Sequence, residues 1–177
     1  VDEGIIPESE VISEYLDDRY PDKSMLGESP WIRSQVRLVS RIADVYLMNN
    51  IFMALPQVNR KTRVDEVRDL LVGQVTRGMR ALEQHIGQGD YAVGGKLTRA
   101  DCTLVPALFL CERTVPMLDV ENPILATTHV AAYWEKIQSN EFAAKVLDEM
   151  DQGLRERQDG TERKRIEAAI AKQKAQP

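Results

Sequence analysis

The sequence predicts an all-α protein. Three observations carry that expectation. From residue 29 onward the apolar residues recur at helical spacing, N-cap residues and prolines stand where helices must start or stop, and no parallel-sheet pattern or internal repeat occurs. With 177 residues, 43% of them hydrophobic, the chain can bury one core of ordinary size. Its charged residues, 29% of the total, are interspersed, which argues against disorder. A net charge of −5 gives no reason to expect nucleic acid or an anionic membrane as a partner. No apolar run reaches the ~18 residues a bilayer span needs. The start, Val1-Asp2-Glu3-Gly4, is acidic where a signal peptide is basic.

The elements follow in order. Val1 to Pro7 is expected to be a short extended piece: Asp2-Glu3-Gly4 has turn chemistry, and Ile5-Ile6 before Pro7 suits the end of a strand. Ser9 is placed to cap a helix carrying Val11, Ile12, Tyr15 and Leu16, which Pro21 stops. The polar stretch Asp22 to Ser29 has the character of a linker. Ser29-Pro30 supplies an N-cap and a proline at the first helical position. The helix it opens runs to about Leu55, with Ile32, Val36, Val39, Ala43, Leu47, Ile51 and Leu55 on one face. A second long helix from near Thr62 carries Val64, Val67, Leu71, Val75, Met79, Leu82 and Ile86, and the short connection predicts an antiparallel hairpin.

Gly87-Gln88-Gly89-Asp90 breaks the second helix. A third is expected from Thr98 to about Arg113, kinked at Pro106. After a loop over 115–123, helices are predicted over 127–138 and, capped by Asn140, over 141–150. The tail from Gln152 is expected to be a solvated helix or partly disordered. From Arg155 on it holds seven Lys/Arg and four Asp/Glu, a solvated charged face rather than a nucleic-acid site.

Two cysteines fall in one predicted helix. Nine residues at ~100° each put Cys102 and Cys111 on opposite faces, so they cannot pair and are expected to be buried thiols in a reducing, cytoplasmic compartment. With only His85 and His129 and no Cys/His cluster, no metal site is expected.

Two stretches carry chemistry. Thr98 and Asp101 have capping-box spacing, with Leu97 and Cys102 placed for a hydrophobic staple; this device fixes a helix start and is structural. At the other, Ser9 offers a hydroxyl and backbone N–H groups at a helix N-terminus, an anion site, with the Glu8 carboxylate beside it for an ammonium. Together they suit an α-amino acid zwitterion.

In order and spacing, these stretches resemble the glutathione transferase family. Glu8-Ser9 is similar to the acid–serine pair that closes the family's thioredoxin-like domain. Gly94-Gly95-Lys96-Leu97-Thr98-Arg99-Ala100-Asp101 is similar to the motif opening its core helix. Tyr15-Leu16 through Pro21, Arg33 through Arg37, and Pro106 fit the same pattern. The resemblance covers roughly residues 1–150. It implies the end of a truncated thioredoxin-like α/β domain over 1–22, its last strand and helix. A linker over 23–29, the helical C-terminal bundle over 30–150 and a charged tail over 151–177 would follow.

The resemblance also implies chemistry. Glu8 and Ser9 would bind glutathione, whose thiolate would attack a small hydrophobic electrophile by conjugation, dehalogenation, ether cleavage or isomerisation. The catalytic thiol-activating residue and the family's cis-proline are expected upstream of Val1. The pocket candidates are Tyr46, Asn49, Asn50, Phe52 and Met53 on the first long helix and Pro106, Leu110 and Arg113 on the third. Tyr46 and Asn49 would orient a substrate oxygen; core or dimer packing is the alternative for the apolar ones. A detoxifying homodimer is implied, and a non-catalytic docking module is the competing function.

Overall fold

The computed structural model describes residues 4–174, and all regular structure among these residues is helical. The chain divides into two units, one ending at Ile137 and the other beginning at Gln138.

The first helix, α1 (Ser9–Arg19), is preceded by irregular backbone. The strand end expected at Ile5-Ile6 does not form, because the described residues offer it no neighbouring strand to pair with; Ile5 is exposed. The part of that extended piece at residues 1–3 lies outside the described residues. The cap expected at Ser9 is also displaced by one residue. Glu8, at φ +69°, holds the N-cap position and its carbonyl accepts the first helical bond from Ile12 N at 2.9 Å, so Ser9 is the first helical residue.

The segment 23–29 is anchored rather than loose. Met25 N donates to Asp17 Oδ1 at 2.8 Å, Met25 O accepts from Arg99 N at 3.0 Å, and Leu26 is buried. Next, α2 (Pro30–Ile42) starts as the sequence predicts, with Ser29 Oγ accepting from Ile32 N at 3.2 Å and Pro30 in the first turn. The long helix continues to Ala54 but changes winding. Ala43–Met48 is π-helical, followed by α3 (Asn49–Ala54) and a 3₁₀ turn, Leu55–Val58, around Pro56. Such widened turns have no signature in apolar periodicity. Asn50 Nδ2 donates to the carbonyls of Val45 and Tyr46, both at 3.0 Å, giving partners to backbone groups of the widened turn.

The antiparallel partner is α4 (Asp65–His85). It meets the widened turn at Gly78, where an added Cβ would lie 2.5 Å from Tyr46 Cβ and 3.0 Å from Leu47 Cδ2. Only a residue without a side chain lets the two helices approach this closely. The core helix α5 (Arg99–Thr114) continues through Pro106 and packs on α2 and the widened turn. Val36, Val39, Leu47, Leu104 and Leu108 are fully enclosed. By length and composition the helical stretch Pro30–Val58 matches a bilayer span, contrary to the sequence expectation. Val36, Val39, Leu47 and Ile51 are buried in the core, while Trp31, Phe52 and Met53 are exposed. Two 3₁₀ turns, Val115–Leu118 and Pro123–Ala126, lead to α6 (His129–Ile137).

The second unit is a pair of helices, α7 (Glu141–Asp159) and α8 (Thr161–Lys174). Asn140 Oδ1 caps α7 by accepting from Phe142 N and Ala143 N. The helix passes the expected end at Met150 and stops at Gly160, whose φ of +80° a residue with a side chain adopts at a cost. Arg165–Glu156 and Arg157–Glu162 ion pairs bridge the pair, so the tail takes the solvated-helix alternative.

Candidate functional site

Glu8 and Ser9 sit side by side and exposed at the start of α1. Among the described residues the Ser9 hydroxyl makes no hydrogen bond and Glu8 forms no ion pair, so both are available to a ligand. They are brought to the core helix by a feature that sequence reasoning missed. Glu10, Glu14 and Asp17 follow one another at helical spacing, i, i+4 and i+7, on the side of α1 that meets α5, with Asp17 buried and Glu14 at the exposed edge. Glu10 Oε1 accepts from Thr103 Oγ1 at 2.5 Å. Glu14 and Asp17 meet the buried guanidinium of Arg99 at 3.3 and 3.5 Å. Of the apolar residues Val11, Ile12, Tyr15 and Leu16 expected to share one face, Tyr15 is half-buried and the other three are exposed. A buried guanidinium needs carboxylates more than a helix needs a greasy neighbour, and this fixes which way α1 faces.

Beside that seam lies a cavity of about 340 Å³, walled by Leu16, Asp17, Tyr20, Lys23, Arg99 and Cys102. The expectation of two buried cysteines is corrected here: Cys102 is exposed and Cys111 is buried, on opposite faces of α5. Neither thiol is activated. Partial desolvation of its sulfur, and then the Asp101 charge, pushes Cys102 up, and full burial pushes Cys111 up to about 12.

The capping box at the start of α5 forms and is extended. Asp101 Oδ2 accepts from Thr98 N at 2.8 Å and Thr98 Oγ1 at 3.0 Å. Its Oδ1 accepts from Ala92 N at 2.8 Å and Tyr133 OH at 3.1 Å. One buried carboxylate therefore ties together α5, the glycine loop (residues 86–98) and α6. Burial and then that carboxylate push the Tyr133 hydroxyl far above the usual phenol range.

The pocket candidates separate into two sets. Tyr46, Asn49, Phe52 and Met53 are exposed on the widened turn and α3, and Asn50 is spent on the carbonyls of that turn. Pro106 and Leu110 are half-buried on α5, and the Arg113 guanidinium lies over the Phe109 ring at 5.4 Å. Among the described residues, no group of three or more His, Cys, Asp or Glu is arranged to hold a metal ion.

A family model described as glutathione S-transferase, C-terminal domain, matches residues 42–141. The chain belongs to the glutathione S-transferase family. Maleylacetoacetate isomerase of Pseudomonas aeruginosa is 33% identical over 137 residues, which are 75% of this chain and 64% of that protein. The stringent starvation protein A homolog of Coxiella burnetii is 27% identical over 154 residues, 86% of this chain and 68% of that one. The chain thus spans about two thirds of the length of these relatives. Among solved structures, a glutathione S-transferase from Methylobacterium radiotolerans in complex with glutathione sulfonate superposes with a TM-score of 0.68. It is 16% identical, covering 79% of this chain and 65% of that chain. Maleylacetoacetate isomerase from Anaeromyxobacter dehalogenans, with dicarboxyethyl glutathione and citrate in its active site, gives 0.61 at 20% identity, covering 80% and 62%. At these identities the superpositions establish the fold.

Proposed function

We propose that this chain works in a glutathione-dependent enzyme that isomerises a small cis-unsaturated acid of the maleylacetoacetate type. The observation that carries this reading is the 33% identity to a maleylacetoacetate isomerase. Addition of the glutathione thiolate to the cis double bond leaves a single bond free to rotate. Expulsion of the thiolate then restores the double bond in trans form, and glutathione is not consumed. The Ser9 hydroxyl and the α1 N-terminus hold the γ-glutamyl carboxylate, and Glu8 holds its ammonium. The thiol is activated by a group on a thioredoxin-like unit upstream of Val1, for which the exposed apolar face of α1 is a suitable seat. The domain limits are those implied by the resemblance. Tyr46, Asn49, Asn50, Phe52, Met53, Pro106, Leu110 and Arg113 border the electrophile site. The protein is cytoplasmic and dimeric, with the exposed apolar side chains of Val67 and Leu70 on α4 supporting a paired surface.

The test is turnover of maleylacetoacetate by the natural gene product with and without glutathione. Conversion should require glutathione without depleting it, and Ser9→Ala should raise the KM for glutathione about tenfold. No turnover and no calorimetric binding of glutathione would sink the enzyme reading. The second reading, a non-catalytic docking module, is favoured by the similarity to the stringent starvation protein A homolog. It predicts a stable protein partner and indifference to glutathione.

A further inference from the structure

We propose that a cavity between α4 and the 115–127 segment binds a free α-amino acid with a large apolar side chain. The cavity measures about 370 Å³, at the small end of the roughly 300–1,000 Å³ typical of ligand pockets. Its floor includes Val75, Met79 and Val115, all buried. Its rim includes Arg80, Glu121 and Asn122. Glu8, Ser9 and the pocket candidates do not line it.

The rim carries charges of both signs. Arg80 and Glu121 carry opposite charges, line the same cavity, and form no ion pair with each other or with any other described residue. On α4 the carboxylate three residues beyond Arg80 is Glu83. Its two oxygens accept from the backbone N–H groups of Thr128, His129 and Val130 at 2.9–3.0 Å. Two residues before Glu121 in the chain, Asp119 holds both Arg60 and Arg63. Asn122 Oδ1 accepts from Ile124 N at 3.0 Å, which leaves its amide N–H groups for a carboxylate. The chemistry therefore calls for an acceptor at Arg80 and Asn122, a cation at Glu121, and an apolar body over the floor. A simple acid would face the Glu121 charge, and a simple amine would face Arg80. A zwitterion with an apolar side chain satisfies both and adds no net charge.

The test is calorimetric titration of the full chain with L-phenylalanine, alongside phenethylamine, 3-phenylpropionate and glycine. Phenylalanine should bind saturably. Each probe lacking one charge should bind about tenfold more weakly or worse, and glycine, lacking the apolar body, should not bind. Arg80→Ala and Glu121→Ala are surface changes that should leave the thermal midpoint unchanged and each weaken phenylalanine about tenfold. Ser9→Ala should leave phenylalanine binding intact, which separates this cavity from the start of α1. Absence of saturable binding, equal binding of phenylalanine and its single-charge analogues, or loss on Ser9→Ala but not on Arg80→Ala would each overturn the proposal.

Discussion

Replacing Asp101 tests how much of the fold hangs on one carboxylate. Its side chain is 1% exposed and accepts from Ala92 N, Thr98 N, Thr98 Oγ1 and Tyr133 OH. Asp101→Ala leaves four donors in a dry environment, each costing about 1–3 kcal/mol if fully orphaned. The losses are not additive, because the glycine loop can turn part of its backbone toward water. We expect a total of about 3–5 kcal/mol. For a chain of this length that is a fall in thermal midpoint of about 6–20 °C. Asp101→Asn keeps the shape but presents an N–H edge to donors on one side, so it should lose about 2–4 kcal/mol. Tyr133→Phe removes one bond and should lose about 1 kcal/mol. In the double variant with Asp101→Ala, the tyrosine change should cost almost nothing further, since its partner is already gone. Urea denaturation with linear extrapolation measures all four proteins. A loss below about 1 kcal/mol for Asp101→Ala would refute the view that this network holds α5, the glycine loop and α6 together.

Two further outcomes follow from the ionisable groups. Burial alone would raise the Glu83 carboxyl, but the backbone N–H groups of His129, Val130 and Thr128 and the His129 charge outweigh it and hold it below the usual carboxylate range. Its folded value is thus below its unfolded value. Its contribution is fully present above the ordinary carboxylate range and is lost as pH falls through the depressed folded value. Glu83→Gln should therefore narrow the gap in urea midpoint to the parent protein as pH drops from 7 to about 3; a gap independent of pH would refute the capping role. The thiols should titrate separately. A neutral disulfide reagent should label one cysteine, Cys102, in the native protein, faster as pH rises, and Cys111 only after unfolding. Labelling of Cys111 at the same rate as Cys102 in native buffer would mean that α5 is not the closed core helix described.

The sequence by itself determined the elements whose cause is local. Ser29-Pro30, Thr98-x-x-Asp101 and Asn140 each hold the groups that start a helix within a few residues, so their starts are legible without knowing the neighbours. The two long helices were legible because their apolar stripes persist over many turns. The widened turn at Ala43–Met48 was not, because it exists only where Gly78 of α4 comes close and Asn50 reaches back. The facing of α1 was not, because an apolar stripe and an acidic stripe share that helix, and only the buried Arg99, eighty-two residues from Asp17, decides between them. Glu8 and Ser9 were legible as neighbours, while their cap geometry depended on a positive φ that sequence does not print. The rim of the α4 cavity belongs to the same class. Arg80 and Glu121 are ordinary surface charges in sequence, and folding brings them to one cavity while Glu83, Arg60 and Arg63 take other partners. Local chemistry fixes where helices begin. Which charges remain unsatisfied is settled only when distant residues compete for the same partners.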